Sequence, residues 1–292
     1  MEKDNIRNLI EKYRIKIFTR SFSPELYTYS RGLFHDEIPI VRLTDQTADG
    51  YFFTMLRDMD CDIAVNIDED AFITDWEPIF DLIEYLVTHN IANAATPDAG
   101  PGCPRRHNPI VTNPFFNVLN LKLIRTKYTT PKEIQRFSYE EHREELLGKF
   151  PKVLLDTLEC DLDCIDFEPY YPFFFWLAYH FDTLYLTAVR HSDGFSSILY
   201  NHQGRPFCLH SWFARKFKVQ KFHTKRIFNL IDEAYTARQL VIPTFTVGQR
   251  LGHMSELLVR YFRKVVSRVK NWPHKWNLWY VRYQRRRNKK GC

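Results

Sequence analysis

The sequence contains little glycine and almost no acidic residues in its C-terminal region. Only 10 of its 292 residues are glycine, whereas 16% are aromatic and 45% are hydrophobic. This composition excludes collagen-like, linker-like and low-complexity chains, and it supplies enough apolar material for a large core. We expect one large domain or one and a half.

Cysteine is also scarce, and none of the six cysteines lies in a C-x-x-C pair. The sequence therefore argues against a zinc ribbon or a disulfide framework. No run reaches the ~18 uncharged apolar residues of a membrane-spanning helix. The charged stretch 1–14 lacks the apolar segment of a secretory signal. We therefore expect a cytoplasmic protein.

The net charge of +6 conceals two regions of opposite charge. Residues 1–249 carry 28 Lys and Arg against 34 Asp and Glu, a net charge of −6. Residues 250–292 carry 13 Lys and Arg against one acid, Glu256, a net charge of +12. The sequence therefore predicts a domain over 1–249 followed by a basic tail over 250–292.

Strands and helices alternate along the first hundred residues, which predicts an α/β fold with a mostly parallel central sheet covered on both faces. Residues 96–109 contain four prolines and two glycines, so we expect a long loop there. The predicted strands are 15–19, 39–43, 61–67, 115–125, 182–190 and 207–212, and the predicted helices are 5–14, 51–56, 74–89, 131–147 and 173–181.

Asp68 and Asp70 directly follow the predicted strand 61–67. In an open α/β sheet, ligands bind outside the carboxyl ends of the strands. Two carboxylates at that position suit Mg²⁺ or Mn²⁺ bound to a substrate diphosphate, where the ion stabilises the leaving group. The alternative is a solvated acidic turn in which Asp70 or Thr74 caps the next helix.

The stretch AVNIDED resembles the DxD motif of GT-A glycosyltransferases, enzymes that transfer a sugar from a nucleotide diphosphate donor. The strand 15–19 resembles the family's first strand, and FCLHSW places His210 where many members supply a late histidine to the metal. The resemblance covers roughly residues 12–215 as an order of elements. It implies that Asp68, Asp70 and His210 hold Mn²⁺ or Mg²⁺. The alternative for His210 is a core histidine bonded to backbone, and the competing histidines are His107, His191 and His202.

The resemblance also implies a set of contacts to the sugar donor. Arginines suit its phosphates because they form paired hydrogen bonds with phosphate oxygens. The segment 115–120 is similar to the family's donor-sugar strand but lacks its glycine. The candidate donor-binding residues are Thr19, Arg20, Asp45, Asp68, Arg105 and Arg106. Among them Asp45 is a candidate for the nucleoside, and the alternative for Arg105 and Arg106 is two solvated arginines in a mobile loop.

An acidic residue opens a helix beside the acceptor in this family, and Glu168 is the candidate here in preference to Asp166. Its carboxylate would serve as general base in an inverting reaction or would orient the acceptor in a retaining one. The alternative is an acid that complements the dipole of the helix that follows.

The tail carries a continuous apolar stripe at helical spacing from Met254 to Val269, with basic residues opposite. A second segment, 276–283, adds Trp and Tyr ahead of a cluster of Lys and Arg. Such residues suit an anionic membrane surface. The alternatives are packing on the acidic domain and nucleic-acid binding, which the lack of a recognition motif disfavours.

Together these features predict a metal-dependent glycosyltransferase on the inner membrane face, attached peripherally. It would move a sugar from a nucleotide-sugar to a glycan or lipid-linked acceptor in cell-surface polysaccharide synthesis. Two alternatives remain open. A nucleotidyltransferase would use the same carboxylates, but the Gly-rich phosphate loop expected near the first strand is missing. A noncatalytic membrane-associated scaffold would carry a degenerate α/β body.

Overall fold

The computed structural model describes residues 3–44 and 50–270. The chain divides into two compact units, with the boundary after Pro243.

Ten strands form two sheets in the first unit. The strands are β1 (Ile15–Arg20), β2 (Ile40–Leu43), β3 (Ile63–Ile67), β4 (Ala71–Ile73), β5 (Asn93–Ala95), β6 (Phe116–Asn120), β7 (Thr183–Tyr185), β8 (Ala188–Arg190), β9 (Ser197–Tyr200) and β10 (Pro206–His210). The central sheet has the order β2-β1-β3-β6-β5-β7, and the second sheet has the order β4-β10-β9-β8.

Eleven α-helices occur in the described residues. They are α1 (Lys3–Tyr13), α2 (Pro24–Arg31), α3 (Gly50–Arg57), α4 (Glu77–Thr88), α5 (Leu121–Ile124), α6 (Pro131–Ile134), α7 (Arg143–Lys149), α8 (Lys152–Thr157), α9 (Tyr171–His180), α10 (Lys221–Ala237) and α11 (Val247–Lys270). Short 3₁₀ helices cover Glu140–His142 and Ala214–Lys216.

The central sheet confirms the predicted α/β class, and it is mixed. β1 runs parallel to β2 and β3, and β5 runs parallel to β7, but β6 is antiparallel to both of its neighbours. The reversal follows from the predicted long loop, because residues 96–115 turn the chain back at the edge where β5 ends. Two backbone hydrogen bonds of 2.8 Å join the arms of this loop, from Asp98 to Val111 and from Asn113 to Thr96.

The second sheet joins two parts of the chain that are far apart in sequence. Three residues separate β3 from β4, and β4 pairs antiparallel with β10 so that Ala71 lies opposite His210. This register places His210 beside the acidic residues that precede β4. The sequence predicts a strand at His210 but not its partner strand.

Aromatic side chains fill much of the core between the central sheet and α9. The predicted buried helix over 173–181 is observed as α9, where Phe173 stacks on Phe52 of α3 with ring centroids 4.8 Å apart. Burying a phenylalanine contributes roughly 1.5–3 kcal/mol, so this contact stabilises the packing of both helices.

The predicted continuous helix over 131–147 is wrong. The chain forms α6, a 3₁₀ turn and α7 instead, with a break between Ile134 and Tyr139. Both side chains are buried. Five residues along a regular helix correspond to a rotation of about 140°, which would turn one of them away from the core. The break lets both reach it.

The second unit contains α11. Its stripe includes Met254, Leu258 and Phe262, which are exposed, and Arg260 pairs with Glu256 one turn earlier. The predicted tail segment 276–283 lies outside the described residues. No described helix combines the length and apolarity needed to cross a bilayer.

A buried arginine attaches α10 to the second sheet. Arg226 donates to the Ser196 hydroxyl and to the Trp212 carbonyl, and it lies 3.5 Å from the Asp193 carboxylate. That carboxylate also accepts backbone N–H groups from Phe195 and Ser196 at 2.8 and 2.7 Å. Although burial alone would raise the pKa of Asp193, hydrogen bonds from the Ser196 hydroxyl, at 2.6 Å, and from these two backbone N–H groups hold it at about 2.

Asp193→Asn should destabilise the first unit at neutral pH by about 1–2 kcal/mol once solvent screening is allowed for. The folded-state pKa lies below the unfolded value, so the stabilisation is present above pH ~4 and is lost as the pH falls towards 2. Urea unfolding should show that the difference in unfolding free energy between wild type and variant decreases from pH 5 to pH 3. Asp232→Asn, at an exposed position on α10, is the control. A difference in unfolding free energy that does not change with pH would contradict a stabilising role for the ionised Asp193.

Candidate active site

The acidic turn after β3 is buried. Asp68, Glu69 and Asp70 are 8%, 3% and 6% exposed. The turn is therefore not a solvated surface feature. Burying three carboxylates is unfavourable unless each one has partners, so their surroundings define the site.

Asp68 is paired with the arginine at the end of β1. Nη2 of Arg20 donates to Oδ2 of Asp68 at 2.8 Å, and the guanidinium lies 5.0 Å from the Tyr51 ring centroid. Oδ1 of Asp68 is buried and has no hydrogen-bond partner in the described part of the chain. Burial raises the pKa of Asp68, and the charge of Arg20 opposes this shift.

Glu69 connects the turn to the loop that follows β1. Its carboxylate accepts backbone N–H groups from Phe22 at 2.9 Å and from Ser23 at 2.8 Å. Burial raises the pKa of Glu69 to about 8, although the N–H of Ser23 acts in the opposite direction. Glu69 thus fixes the loop that carries Phe22. The sequence gives no separate signal for this role, since Glu69 lies between two equally acidic neighbours.

Asp70 lies beside His210, as the pairing of β4 with β10 requires. Nε2 of His210 is 3.5 Å from Oδ2 of Asp70, and the Ser211 hydroxyl donates to the same oxygen at 3.4 Å. The imidazole stacks on Phe115 at 3.7 Å, and its Nδ1 has no hydrogen-bond partner among the described residues. Burial favours the neutral carboxyl of Asp70, but His210 outweighs it and lowers the pKa.

These donors suit a hard divalent cation. Across residues 3–44 and 50–270, no group of three or more His, Cys, Asp or Glu side chains has the spacing of a metal site. Mg²⁺ commonly takes only one or two carboxylates and completes its shell with substrate phosphates and water. The unpartnered Oδ1 of Asp68 and the Asp70 carboxylate are oxygen donors of this kind, and the His210 imidazole is a nitrogen donor that suits Mn²⁺ better than Mg²⁺.

A cleft of about 460 Å³ opens onto the acidic turn. It lies at the carboxyl ends of β1 and β3, where ligands bind in sheets of this type. Arg20, Arg105, Arg215 and Lys216 supply positive charge around it. Aromatic lining comes from Phe22, Phe115, Tyr170, Trp212 and Phe213. The cleft thus combines buried acids, basic side chains and ring faces, which are groups suited to a metal, phosphates and a planar base.

The cleft brings together most but not all of the predicted site residues. Thr19 is buried behind it, with a hydroxyl that has no partner in the described chain. Arg106 lies on the surface, three-quarters exposed, in an ion pair with Glu159. Asp45 lies outside the described residues. The predicted residues that line the cleft are Arg20, Asp68, Asp70, Arg105, Glu168 and His210.

Glu168 lies at the cleft just before α9. It is half-buried and lines the cleft, whereas Asp166 is exposed and does not. The Glu168 carboxylate makes no hydrogen bond with any residue that the structure describes. A carboxylate in this state can accept a hydrogen bond from a bound hydroxyl group.

The competing histidines make other contacts. His191 pairs with Glu233 at 3.0 Å, His202 stacks on Tyr85, and His107 lies 3.3 Å from Asp98. Each therefore has a structural partner away from Asp70.

Asp98 is a site residue that the sequence did not reveal. Its buried carboxylate accepts from Asn113 at 2.6 Å and from Tyr171 at 3.0 Å, and it lies 3.4 Å from Arg105. Arg105 also donates to the Tyr170 hydroxyl at 3.1 Å. Asp98 therefore holds the long loop closed and fixes Arg105 over the cleft. An isolated acid in a Pro- and Gly-rich loop carries no sequence signal for this role.

Two consecutive residues on the cleft wall have left-handed backbone conformations. Trp212 has φ of 53° and Phe213 has φ of 59°. This conformation costs an aromatic residue on the order of 1–2 kcal/mol, so it persists only where surrounding contacts hold it. The indole N–H of Trp212 donates to Ser197 at 2.6 Å, and Arg226 donates to the Trp212 carbonyl at 3.1 Å. The strained turn brings Arg215 and Lys216 to the rim, which the sequence pattern did not predict.

No protein-family model matches this sequence, and no curated protein matches it. Among solved structures, the chain is similar to A197 from STIV, with 12% sequence identity and a TM-score of 0.31 over 40% of this chain and 69% of that chain. A similarity at this level carries no argument about fold or function, so function has to be inferred from the site.

Asp98→Asn should destabilise the first unit by about 2–4 kcal/mol, because it turns an amide N–H₂ towards buried donors and removes the charge that Arg105 faces. Urea unfolding at pH 7 measures the loss. Asp166→Asn removes an exposed carboxylate and should change stability by less than about 0.5 kcal/mol. Equal stability of the two variants would show that Asp98 does not hold the loop.

Proposed function

We propose that this protein is a metal-dependent glycosyltransferase of the GT-A type, which transfers a sugar from a nucleotide diphosphate donor. The observation that carries the proposal is the convergence of Asp68, Asp70 and His210 at a cleft rimmed by arginine and lysine. Buried acids surrounded by bases fit a nucleotide diphosphate with its cation, since the cation faces the acids and the phosphates face the bases.

The metal-binding residues in this proposal are Asp70, His210 and the unpartnered oxygen of Asp68. A bound Mn²⁺ or Mg²⁺ would act as a Lewis acid on the diphosphate leaving group. Arg20 orients Asp68 through its 2.8 Å ion pair and leaves Oδ1 of that carboxylate available.

Three cationic side chains, Arg105, Arg215 and Lys216, would bind the donor phosphates. Arg105 is held by Asp98 and Tyr170, and it can offer the paired N–H groups that phosphate oxygens accept. Arg215 and Lys216 also line the cleft. The aromatic rings of Phe22 and Phe213 at the rim offer flat apolar surface to the nucleoside.

Glu168 would serve the acceptor. Its carboxylate lines the cleft without a hydrogen bond to the described residues, so it can accept the proton of an acceptor hydroxyl in an inverting reaction or orient that hydroxyl in a retaining one. The strand that resembles the family's donor-sugar strand lacks glycine, and its Asn117 instead contacts the buried Asn66 and Asn93. Asn117 is therefore not assigned a donor contact.

The proposal includes attachment to the inner membrane face through the basic tail, with a glycan or lipid-linked acceptor. In α11 the apolar residues Leu257, Tyr261 and Val265 share one side, and Arg260 lies next to this side. A helix of this kind lies in the headgroup region of an anionic bilayer.

Asp70→Asn should lower nucleotide-sugar hydrolysis at least about 100-fold and abolish Mn²⁺-dependent nucleotide binding, because it removes a ligand charge. Calorimetry with UDP, GDP and CDP, with and without Mn²⁺, measures the binding. Asp166→Asn is the control, and thermal unfolding confirms that both variants fold.

Unchanged metal-dependent binding in Asp70→Asn would overturn the assigned metal site. Preference of the wild-type chain for nucleoside triphosphates would instead favour nucleotidyl transfer. No nucleotide binding by the wild-type chain would favour a noncatalytic scaffold.

Removal of residues 254–292 should weaken binding to anionic vesicles at least about tenfold, since each basic group near such a surface contributes about 1 kcal/mol. Nucleotide-sugar hydrolysis should persist, because the cleft residues all precede position 217. Vesicle co-sedimentation and a hydrolysis assay measure the two effects. Undiminished vesicle binding would contradict a membrane role for the tail.

A further inference from the structure

The segment beside the cleft differs in charge from the rest of the first unit. Residues 213–228 contain six Lys and Arg and no Asp or Glu, although residues 1–249 carry a net charge of −6. Lys218 pairs with Glu25, and Arg226 is buried against Asp193. The other four bases are exposed and form no ion pair with any carboxylate in the described chain. They are Arg215, Lys216, Lys221 and Lys225.

Exposed apolar side chains lie among these bases. Phe195, Phe213 and Phe222 are 44%, 45% and 58% exposed, and Val219 is 74% exposed. The rings are contiguous, because Phe195 contacts Phe222 at 5.3 Å and His223 lies 5.2 Å from Phe222 and 5.0 Å from Phe213. A contiguous exposed apolar patch in a folded unit commonly marks an interaction site.

Core packing does not explain the position of Phe222. Helix α10 buries Ile227, Leu230 and Ile231 against the first unit. Phe222 lies one turn before the buried Arg226, but it is not among the buried residues of this helix and is 58% exposed. A polar residue there would keep the helix amphipathic.

We infer that this aromatic-basic surface, formed by Phe195, Phe213, Val219, Phe222 and the four exposed bases, binds an anionic lipid bilayer. Aromatic and aliphatic side chains enter the interface between headgroups and acyl chains, while lysine and arginine reach the phosphates. A nucleic acid would use the bases and rings but would leave Val219 without a role, since its isopropyl group has no partner on a phosphodiester backbone. The combination of apolar and basic side chains therefore favours lipid.

The surface is continuous with the mouth of the cleft. Phe213, Arg215 and Lys216 belong both to the cleft rim and to the surface. A bilayer bound here lies at the cleft entrance. The identity of the acceptor rests on the proposed glycosyl transfer. Given that activity, the acceptor is a membrane-anchored lipid or glycolipid rather than a soluble glycan.

Vesicle partition of the full chain tests the surface without any nucleotide. Lys221→Gln combined with Lys225→Gln should lower the partition coefficient on vesicles of equal parts phosphatidylcholine and phosphatidylglycerol by roughly tenfold to thirtyfold. Phe222→Ser should lower it further. The matched control is Lys152→Gln with Val153→Ser, an exposed pair on α8 outside the cleft lining. Equal partition of test and control variants would overturn the inference.

Photocrosslinking identifies what touches the surface in the full chain. With p-benzoylphenylalanine in place of Phe222, mass spectrometry should find adducts with phosphatidylglycerol, whereas the same probe in place of Val153 should give none. Adducts to residues 244–292 of the chain itself, or to added RNA in preference to lipid, would overturn the inference. Lipid adducts without nucleotide-sugar hydrolysis would support lipid binding by the surface and contradict the proposed glycosyl transfer. The experiments therefore test the two proposals independently.

Discussion

Burying three consecutive carboxylates at the end of β3 is the constraint around which the first unit is organised. Each unpaired buried charge would cost several kcal/mol, so each needs its own partner. Asp68 takes the guanidinium of Arg20, Glu69 takes two backbone N–H groups, and Asp70 takes His210 with Ser211. These partners come from the end of β1, from the loop that follows it and from the end of β10, so the acidic turn joins the two sheets at one point. The position of the cleft follows from that junction.

Buried polar atoms at this junction lack a hydrogen-bond partner in the described residues. Oδ1 of Asp68 and Nδ1 of His210 are buried without hydrogen bonds to the described residues, and each such atom costs about 1–3 kcal/mol. The left-handed backbone of Trp212 and Phe213 lies on the same wall. Unsatisfied atoms and backbone strain therefore coincide at the cleft, which is the pattern expected where a further group binds.

Local signals in the sequence predicted much of the fold and part of the candidate site. The strands that became β1 and β3, the acidic turn and the strand of His210 each depend on a few neighbouring residues. The pairing of β4 with β10 could not be predicted, since it joins segments about 140 residues apart. The sequence also could not show that Arg105, rather than Arg106, reaches the cleft. The conformation of the loop decides this, and the fully buried Asp98 holds that conformation. The prediction of a continuous helix over 131–147 was wrong for a related reason. Ile134 and Tyr139 are both buried, but a regular helix would place them on different faces.

Net charge alone is a poor guide to the partners of the first unit. Residues 1–249 are acidic overall, and this net charge alone would argue against the binding of phosphates and anionic lipids. At physiological ionic strength, however, exposed charges are screened over about 8 Å, so a ligand at contact distance responds to the nearest groups rather than to the sum. Around the cleft those groups are Arg20, Arg105, Arg215 and Lys216, with more bases along α10. Among the acids at the cleft, Asp68, Glu69 and Asp70 each have a partner. An anionic ligand therefore meets a positive rim on an acidic unit, and the same rim can face both a diphosphate within the cleft and a bilayer outside it.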